Sequence, residues 1–320
     1  MRICLTGSTG FLGKKLSNYL LKNYHQILAP IRNINFEILP QHKNLNFIHV
    51  KDIGVNKNYS QSLTKVDLVI HCAARAHIMR ENKKDCLQLY REVNVYDTLS
   101  LAKQAVSHGV RRFIFLSSVK VNGEQTLPYK SFKHDDIPKP EDPYGISKFE
   151  AEEALRSLSN QTGMELVIIR APLVYGEEVK GNFLRLLNLC NKDIPLPFAS
   201  INNIRSMIYV DNLVDLITCC IDHPKAAGEV FLISDEQNIS TTELIKKIRK
   251  FMNKPERLFP LPLFIFKLLG YLLRKSPEIN RLLGSLIVDT SHTRKVLGWK
   301  PVVNIEEGLK KTVNWYLKNL

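Results

Sequence analysis

Acid is scarce in this 320-residue sequence: 31 Asp and Glu stand against 45 Lys and Arg, for a formal charge of +14. The deficit is uneven, because residues 241–320 hold 16 Lys and Arg against 6 Asp and Glu. That end therefore attracts anions, whether an acidic membrane surface or a phosphorylated small molecule. A basic motif interleaved with aromatics is missing, which sets nucleic acid aside as a partner. The six cysteines, Cys4, Cys72, Cys86, Cys190, Cys219 and Cys220, form no C-x-x-C pair and no metal-ligand spacing with histidine. Neither zinc nor a disulfide framework is indicated, no metal is expected, and the thiols are expected to be reduced. No basic leader precedes an apolar run at the start, so a cytoplasmic chain without a signal peptide is expected. The most apolar stretch, residues 258–273, contains Pro260, Pro262 and Lys267 and is too short to cross a bilayer. Its basic flanks (Arg257, Arg274, Lys275, Arg281) permit shallow contact with an anionic membrane; a lid over a substrate or a subunit contact are the other readings.

What is present is a composition of 44% hydrophobic and 24% charged residues, ample for a large core and for two lobes. A short apolar run at residues 2–6 ends in Gly7-Ser8-Thr9-Gly10-Phe11-Leu12-Gly13 and passes into leucines at helical spacing. Strand, glycine turn and helix in that order predict a dinucleotide site. The glycines allow a tight turn and close approach of the backbone, and the free N–H groups of the helix start attract a pyrophosphate. The second strand, near residues 26–31, ends in Arg32 and Asn33 rather than in an acid. Arg32 suits a 2'-phosphate or the adenine face, which leaves NAD and NADP both open. A third strand at 45–50 leads to Asp52-Ile53, placed to meet the adenine edge. Residues 67–74 form a continuous apolar run closing on the small Ala73-Ala74, followed by Arg75 and by His77, which is expected to bond locally. A helix is predicted from about residue 85 to 107, carrying Asn94, and then a buried strand delivers Ser117 and Ser118 to its C-terminal end.

Asp142-Pro143-Tyr144-Gly145-Ile146-Ser147-Lys148 then opens a helix. Tyr144 and Lys148, four residues apart, share a helix face, so that an ammonium can sit beside a phenol and lower its pKa; each unit is worth about 1.4 kcal/mol. Taken together, the glycine turn, Asp52-Ile53, His71-Cys72-Ala73-Ala74, Ser117-Ser118 and Tyr144-x-x-x-Lys148 resemble the extended short-chain dehydrogenase/reductases, in their nucleotide-sugar epimerase/dehydratase branch. The resemblance covers essentially the whole chain. It implies an α/β fold: a Rossmann doubly wound parallel sheet over residues 1–170, and a smaller C-terminal α/β substrate lobe over residues 171–320, with some return of the chain to the first domain. It also implies NAD or NADP as cofactor, Ser118 as the active-site hydroxyl, Tyr144 as acid/base and Lys148 as the residue that holds the ribose. Thr9, Phe11, Leu12, Asn94 and Pro172 would complete the cofactor site.

The triplet Ser118-Val119-Lys120 lacks the acids that the branch's 4,6-dehydratases place here, which argues against elimination. The run on to Glu124 also departs from the Ser-Ala-x-Val-Tyr-Gly of its 4-epimerases. Lys120-Val121-Asn122-Gly123-Glu124 looks like the subgroup that oxidises or reduces carbon 4 of UDP-N-acetylquinovosamine in surface-polysaccharide (O-antigen) synthesis. A UDP-hexose 4-epimerase is the alternative, and a non-catalytic dinucleotide sensor a further one. Lys120, Asn182, Arg205 and Arg294 are the expected substrate ligands, the two arginines for the diphosphate. Asp211 is expected to cap the helix that follows it, and Ser240-Thr241-Thr242-Glu243 to form a capping box. The resemblance suggests a homodimer through the helices carrying Asn94 and Tyr144.

Overall fold

A computed structural model describes residues 1–23, 25–32, 41–50, 57–76, 86–127 and 129–320. Asn33, Asp52, Ile53 and His77 lie outside the described residues, so their expected roles are not taken up below.

The chain begins as β1 (Arg2–Thr6), α1 (Phe11–Lys22), β2 (Gln26–Ile31), β3 (Leu45–His49) and β4 (Leu68–His71). It continues through α2 (Cys86–Arg91), a π-helical turn (Glu92–Asp97) and α3 (Thr98–Ser107) into β5 (Arg112–Ser118), α4 (Pro143–Thr162) and β6 (Glu165–Ala171). Beyond these come β7 (Leu173–Tyr175), α5 (Gly181–Asn191), β8 (Met207–Tyr209), α6 (Val210–Asp222), β9 (Val230–Leu232) and α7 (Thr241–Phe251). The remaining helices are α8 (Leu263–Leu272), α9 (Ser276–Leu283), α10 (Ser291–Leu297) and α11 (Ile305–Lys318).

Seven strands form one parallel sheet in the order β3-β2-β1-β4-β5-β6-β9. The central strands are apolar on both faces because helices cover both, while the edge strand β3 leaves Asn46 and His49 exposed. Ile3, Leu5, Ile70, Ile114 and Ile169 pack into one core, and Cys4, Val69, Phe113, Phe115 and Ile168 into the other. Strand order reverses between β1 and β4, which opens a crevice at their C-terminal ends, the place where doubly wound sheets bind ligands. The edge strand β9 comes from beyond residue 170 and pairs with β6. A two-stranded sheet, β7-β8, and the isolated bridges of Arg205 with Ile239 and Leu286 gather the later segments near the same crevice.

The start of α4 is fixed locally. Asp142 accepts a hydrogen bond from the Gly145 N–H at 2.7 Å, Pro143 takes a position where no donor is needed, and Gly163 ends the helix at φ 75°. The capping box at Ser240 and Glu243 forms as expected. The helix expected up to residue 107 forms as well, running on from Cys86 through a π-helical stretch around Asn94. One local expectation fails. Asp211 sits in the first turn of α6 without capping it; Asp235, reaching across from the segment after β9, takes the Tyr209 N–H at 2.9 Å instead.

Candidate active site

The glycine turn lies where β1 meets α1. Gly7 has φ +71°, and a Cβ on it would stand 2.8 Å from the Ala73 nitrogen; one on Gly13 would stand 2.0 Å from the Gly7 carbonyl oxygen. Only glycine fits this close passage of strand, turn and helix. Gly10 begins α1 with no side-chain cap, so the first N–H groups of that helix point into the crevice unpaired by a side chain. The buried hydroxyl of Ser8 has no partner among the described residues. An uncapped helix start, a cradle that any Cβ would fill and an orphaned hydroxyl fit a dinucleotide's pyrophosphate. Thr9 and Gly10 are exposed at the mouth, Leu12 and Gly13 buried beneath it, and Phe11 partly buried. Arg32 stands exposed at the end of β2, its carbonyl accepting from His49 Nε2 at 3.0 Å. Pro172 is buried between β6 and β7.

A hydrogen-bonded rail, which the sequence reading missed, holds this edge in place. The Ala73 N–H donates to Thr6 Oγ1 at 3.1 Å, leaving that hydroxyl to donate to His71 Nδ1 at 2.8 Å, so that Nε2–H donates to Thr98 at 2.9 Å. Burial first, then the charges of Lys148 and Lys57, push His71 down to about 3, so it remains neutral. Asn94, expected to meet cofactor, is buried between the segment after β4 and the start of α4. Its oxygen accepts the Arg75 N–H at 2.8 Å, while its NH₂ donates to the Arg75 carbonyl at 3.2 Å and to Ser147 at 2.9 Å. Ser147 in turn donates to the Tyr144 carbonyl at 2.8 Å. The π turn thus clasps the segment after β4 to the first turn of α4.

Ser118 ends β5, Tyr144 stands in the first turn of α4, and Lys148 is buried one turn further along that helix. The expected lowering of the phenol's pKa is not found. Burial, then the Asp142 carboxylate and the Tyr90 phenol, raise it above its ordinary value against the opposing bond from Ser118. Tyr90 reaches Tyr144 edge-on from α2, with centroids 6.1 Å apart. The lysine is perturbed too: burial drives it down to about 7, with Glu152 and Cys72 opposing. Glu152 is itself fixed beneath the site by Arg170 at 2.7 Å and by the Ser117 hydroxyl, and Arg170 extends to Asn122 at 3.1 Å.

Beside the triad stands a charge cluster. Lys120 pairs with Glu124 at 2.9 Å and with Asp142. Arg281 approaches Glu124 at 3.3 Å and Asp142 at 4.0 Å, and its carbonyl accepts from Arg205 at 2.7 Å. Arg205 also donates to the Gly284 carbonyl at 3.0 Å. Burial raises Asp142, yet the charge and hydrogen bond of Lys120 and the Gly145 N–H outweigh it, so its pKa falls below the usual value and it stays ionised. A carboxylate so held is a poor proton donor for elimination. Lys120 and Arg205 are thus brought together with Arg281, a residue the sequence reading weighed only as a basic flank. Arg294 is not: it is half exposed and paired with Glu236 at 2.5 Å, and among the described residues no hydrogen bond or ion pair joins it to Lys120, Arg205 or Arg281. Asn182 is exposed in the first turn of α5.

An uncapped glycine turn at a topological switch point, beside a hydroxyl–phenol–ammonium set, defines a dinucleotide-dependent α/β enzyme site. The chain belongs to the NAD dependent epimerase/dehydratase family, whose model matches residues 3–234. Its cofactor is accordingly a nicotinamide dinucleotide, NAD or NADP. A UDP-glucose 4-epimerase of Vibrio cholerae is 47% identical over 318 residues, covering 99% of this chain and 95% of that protein. The N-acetyl-alpha-D-glucosaminyl-diphospho-ditrans,octacis-undecaprenol 4-epimerase of Escherichia coli O157:H7 is 29% identical over 268 residues, 82% of this chain and 76% of that protein. Among solved structures, the UDP-glucuronic acid 4-epimerase of Bacillus cereus, in complex with UDP-glucuronic acid and NAD, matches with a TM-score of 0.82 at 24% identity over 100% of both chains.

Proposed function

We propose that this chain is an NAD(P)-dependent enzyme that oxidises and reduces carbon 4 of a UDP-sugar. The observation that carries the reading is the gathering of Ser118 at the C-terminal end of β5 with Tyr144 and the buried Lys148 on the first turns of α4, with the glycine turn at the same sheet edge. The bound nicotinamide supplies or accepts the hydride. In the reducing direction Tyr144, whose raised pKa keeps it protonated, gives its proton to the oxygen at carbon 4. Ser118 donates a hydrogen bond to that same oxygen as charge develops. Lys148 orders the nicotinamide ribose against the phenol. Arg205 and Arg281 meet the diphosphate at the lobe formed by residues 171–320.

Two net reactions share this half-reaction. Net 4-epimerisation, in which the same site oxidises carbon 4 and re-reduces the opposite face, is supported by 47% identity to a UDP-glucose 4-epimerase along nearly the whole chain. Net reduction of a 4-keto sugar, with UDP-N-acetylquinovosamine as product in O-antigen synthesis, is supported by the Lys120–Glu124 segment, whose two ends are joined as an ion pair beside the triad. The discriminating experiment supplies UDP-glucose, UDP-N-acetylglucosamine and UDP-N-acetylquinovosamine in turn and follows carbon 4 by proton NMR together with nicotinamide absorbance. An epimerase yields the 4-epimer with no lasting absorbance change. A dehydrogenase changes the absorbance in proportion to sugar consumed, and neither response to any UDP-sugar contradicts the proposal. A cytoplasmic homodimer through the helices carrying Asn94 and Tyr144 belongs to the same reading, and sedimentation equilibrium tests its stoichiometry.

A further inference from the structure

Helix α8 turns large apolar side chains to solvent: Phe264 is 69% exposed, Leu268 53% and Leu272 65%. The helix is anchored along its opposite side. Phe266 is buried and stacks on Phe198 at 6.0 Å, and Gly270 lies so close to α9 that a Cβ there would stand 2.9 Å from Ile279 Cγ1. At about 100° per residue, Phe264, Leu268 and Leu272 fall within about 40° of the line directly opposite this anchor, with exposed Tyr271 beside them. The stripe is therefore set facing outward by how the helix is seated. Residues 258–277 hold no Asp or Glu, but Lys267, Arg274 and Lys275 are all exposed. None of the three pairs with a carboxylate among the described residues, whereas Arg257 just before them is bound to Asp193 at 2.8 Å.

We propose that α8 seats the protein on the surface of an anionic lipid bilayer. Phe264, Leu268 and Leu272 enter the headgroup region while Lys267, Arg274 and Lys275 meet lipid phosphates. A second copy stacked on the same face would bring these three cations against three more, but an anionic bilayer satisfies both the apolar stripe and its charge. The helix, 10 residues long, lies in the interface and does not cross it. The inference is independent of the chemistry at Tyr144.

Co-sedimentation of the full chain with vesicles tests it. The protein pellets with phosphatidylglycerol/phosphatidylcholine vesicles at low salt, and partitions at least about tenfold less to phosphatidylcholine alone or at high salt. Leu268→Glu lowers the anionic partition by a similar factor. So does Lys267→Glu combined with Lys275→Glu, which alters only solvent-facing charge and keeps the test intact if Leu268→Glu disturbs the helix. Protein left in the supernatant at low salt overturns the proposal, as do properly folded variants that bind like the parent. A lipid-free dimer that Leu268→Glu converts to monomer also overturns it, by assigning the face to a second copy.

Discussion

The ammonium of Lys148 stands 3.8 Å above the centre of the Phe115 ring, on the far side of the triad from water. The ring face attracts the cation, and so does Glu152 one turn along the helix, but burial outweighs both and holds the group at about 7 against an ordinary 10.5. Between those values the unfolded chain carries a proton that the folded chain has released, so stability rises with pH across the window. The penalty is fully present below about pH 7. Lys148→Met removes the titration. The parent should gain roughly 1–2 kcal/mol between pH 7 and about 8.5, below the range of the buried thiols, and the variant should show a flatter profile in urea unfolding at each pH. Parallel profiles for the two proteins would place the ammonium in water.

Glu152 and Arg170 form a pair with almost no solvent contact, and each has further partners, Ser117 for the acid and Asn122 for the guanidinium. Glu152→Gln leaves the arginine's charge buried and unpaired. Breaking such a pair costs about 3–5 kcal/mol, measurable as a lowered urea midpoint with an unchanged slope. A loss below about 1 kcal/mol would mean that water reaches the pair.

Arg281 and Arg294 look alike in sequence, but the fold separates them. Arg281 stands within 4.0 Å of Asp142 next to the triad, whereas Arg294 is paired with Glu236 and, among the described residues, joined to none of those around the triad. Arg281→Ala should raise the KM for a UDP-sugar at least about tenfold, as loss of a charged hydrogen bond to phosphate does, while Arg294→Ala should leave it within about twofold. Initial rates over a range of sugar-nucleotide concentrations decide, and the reverse order would relocate the diphosphate.

How much of this was readable beforehand depended on how local the determinant is. The glycine turn and the start of α4 are written in adjacent residues: Gly7 and Gly13 answer to a backbone clash, and Asp142-Pro143 to the donors of one helical turn. The parallel sheet announces itself in runs apolar on both faces. The π turn at Asn94 was invisible because its purpose, reaching Arg75 and Ser147 together, exists only in the folded chain. Lys120 and Glu124 could be paired on spacing alone, but Asp142 and Arg281 reach them only when the chain returns. The phenol's shift went the other way from expectation because Tyr144 was weighed against Lys148 alone, without burial, Asp142 or Tyr90.

The most direct test of the account follows the hydrogen at carbon 4. A UDP-sugar deuterated there, once identified as turned over, is incubated with the protein and oxidised nicotinamide dinucleotide, and the dinucleotide and the sugar product are examined by mass spectrometry after a single turnover. The account predicts deuterium on the nicotinamide where the net reaction is oxidation and deuterium returned to carbon 4 of the product where it is epimerisation, and for Tyr144→Phe a rate lower by about two to four orders of magnitude with dinucleotide binding within about threefold of the parent. Deuterium that is lost to water, or a Tyr144→Phe protein that still turns over at near the parent rate, would contradict it.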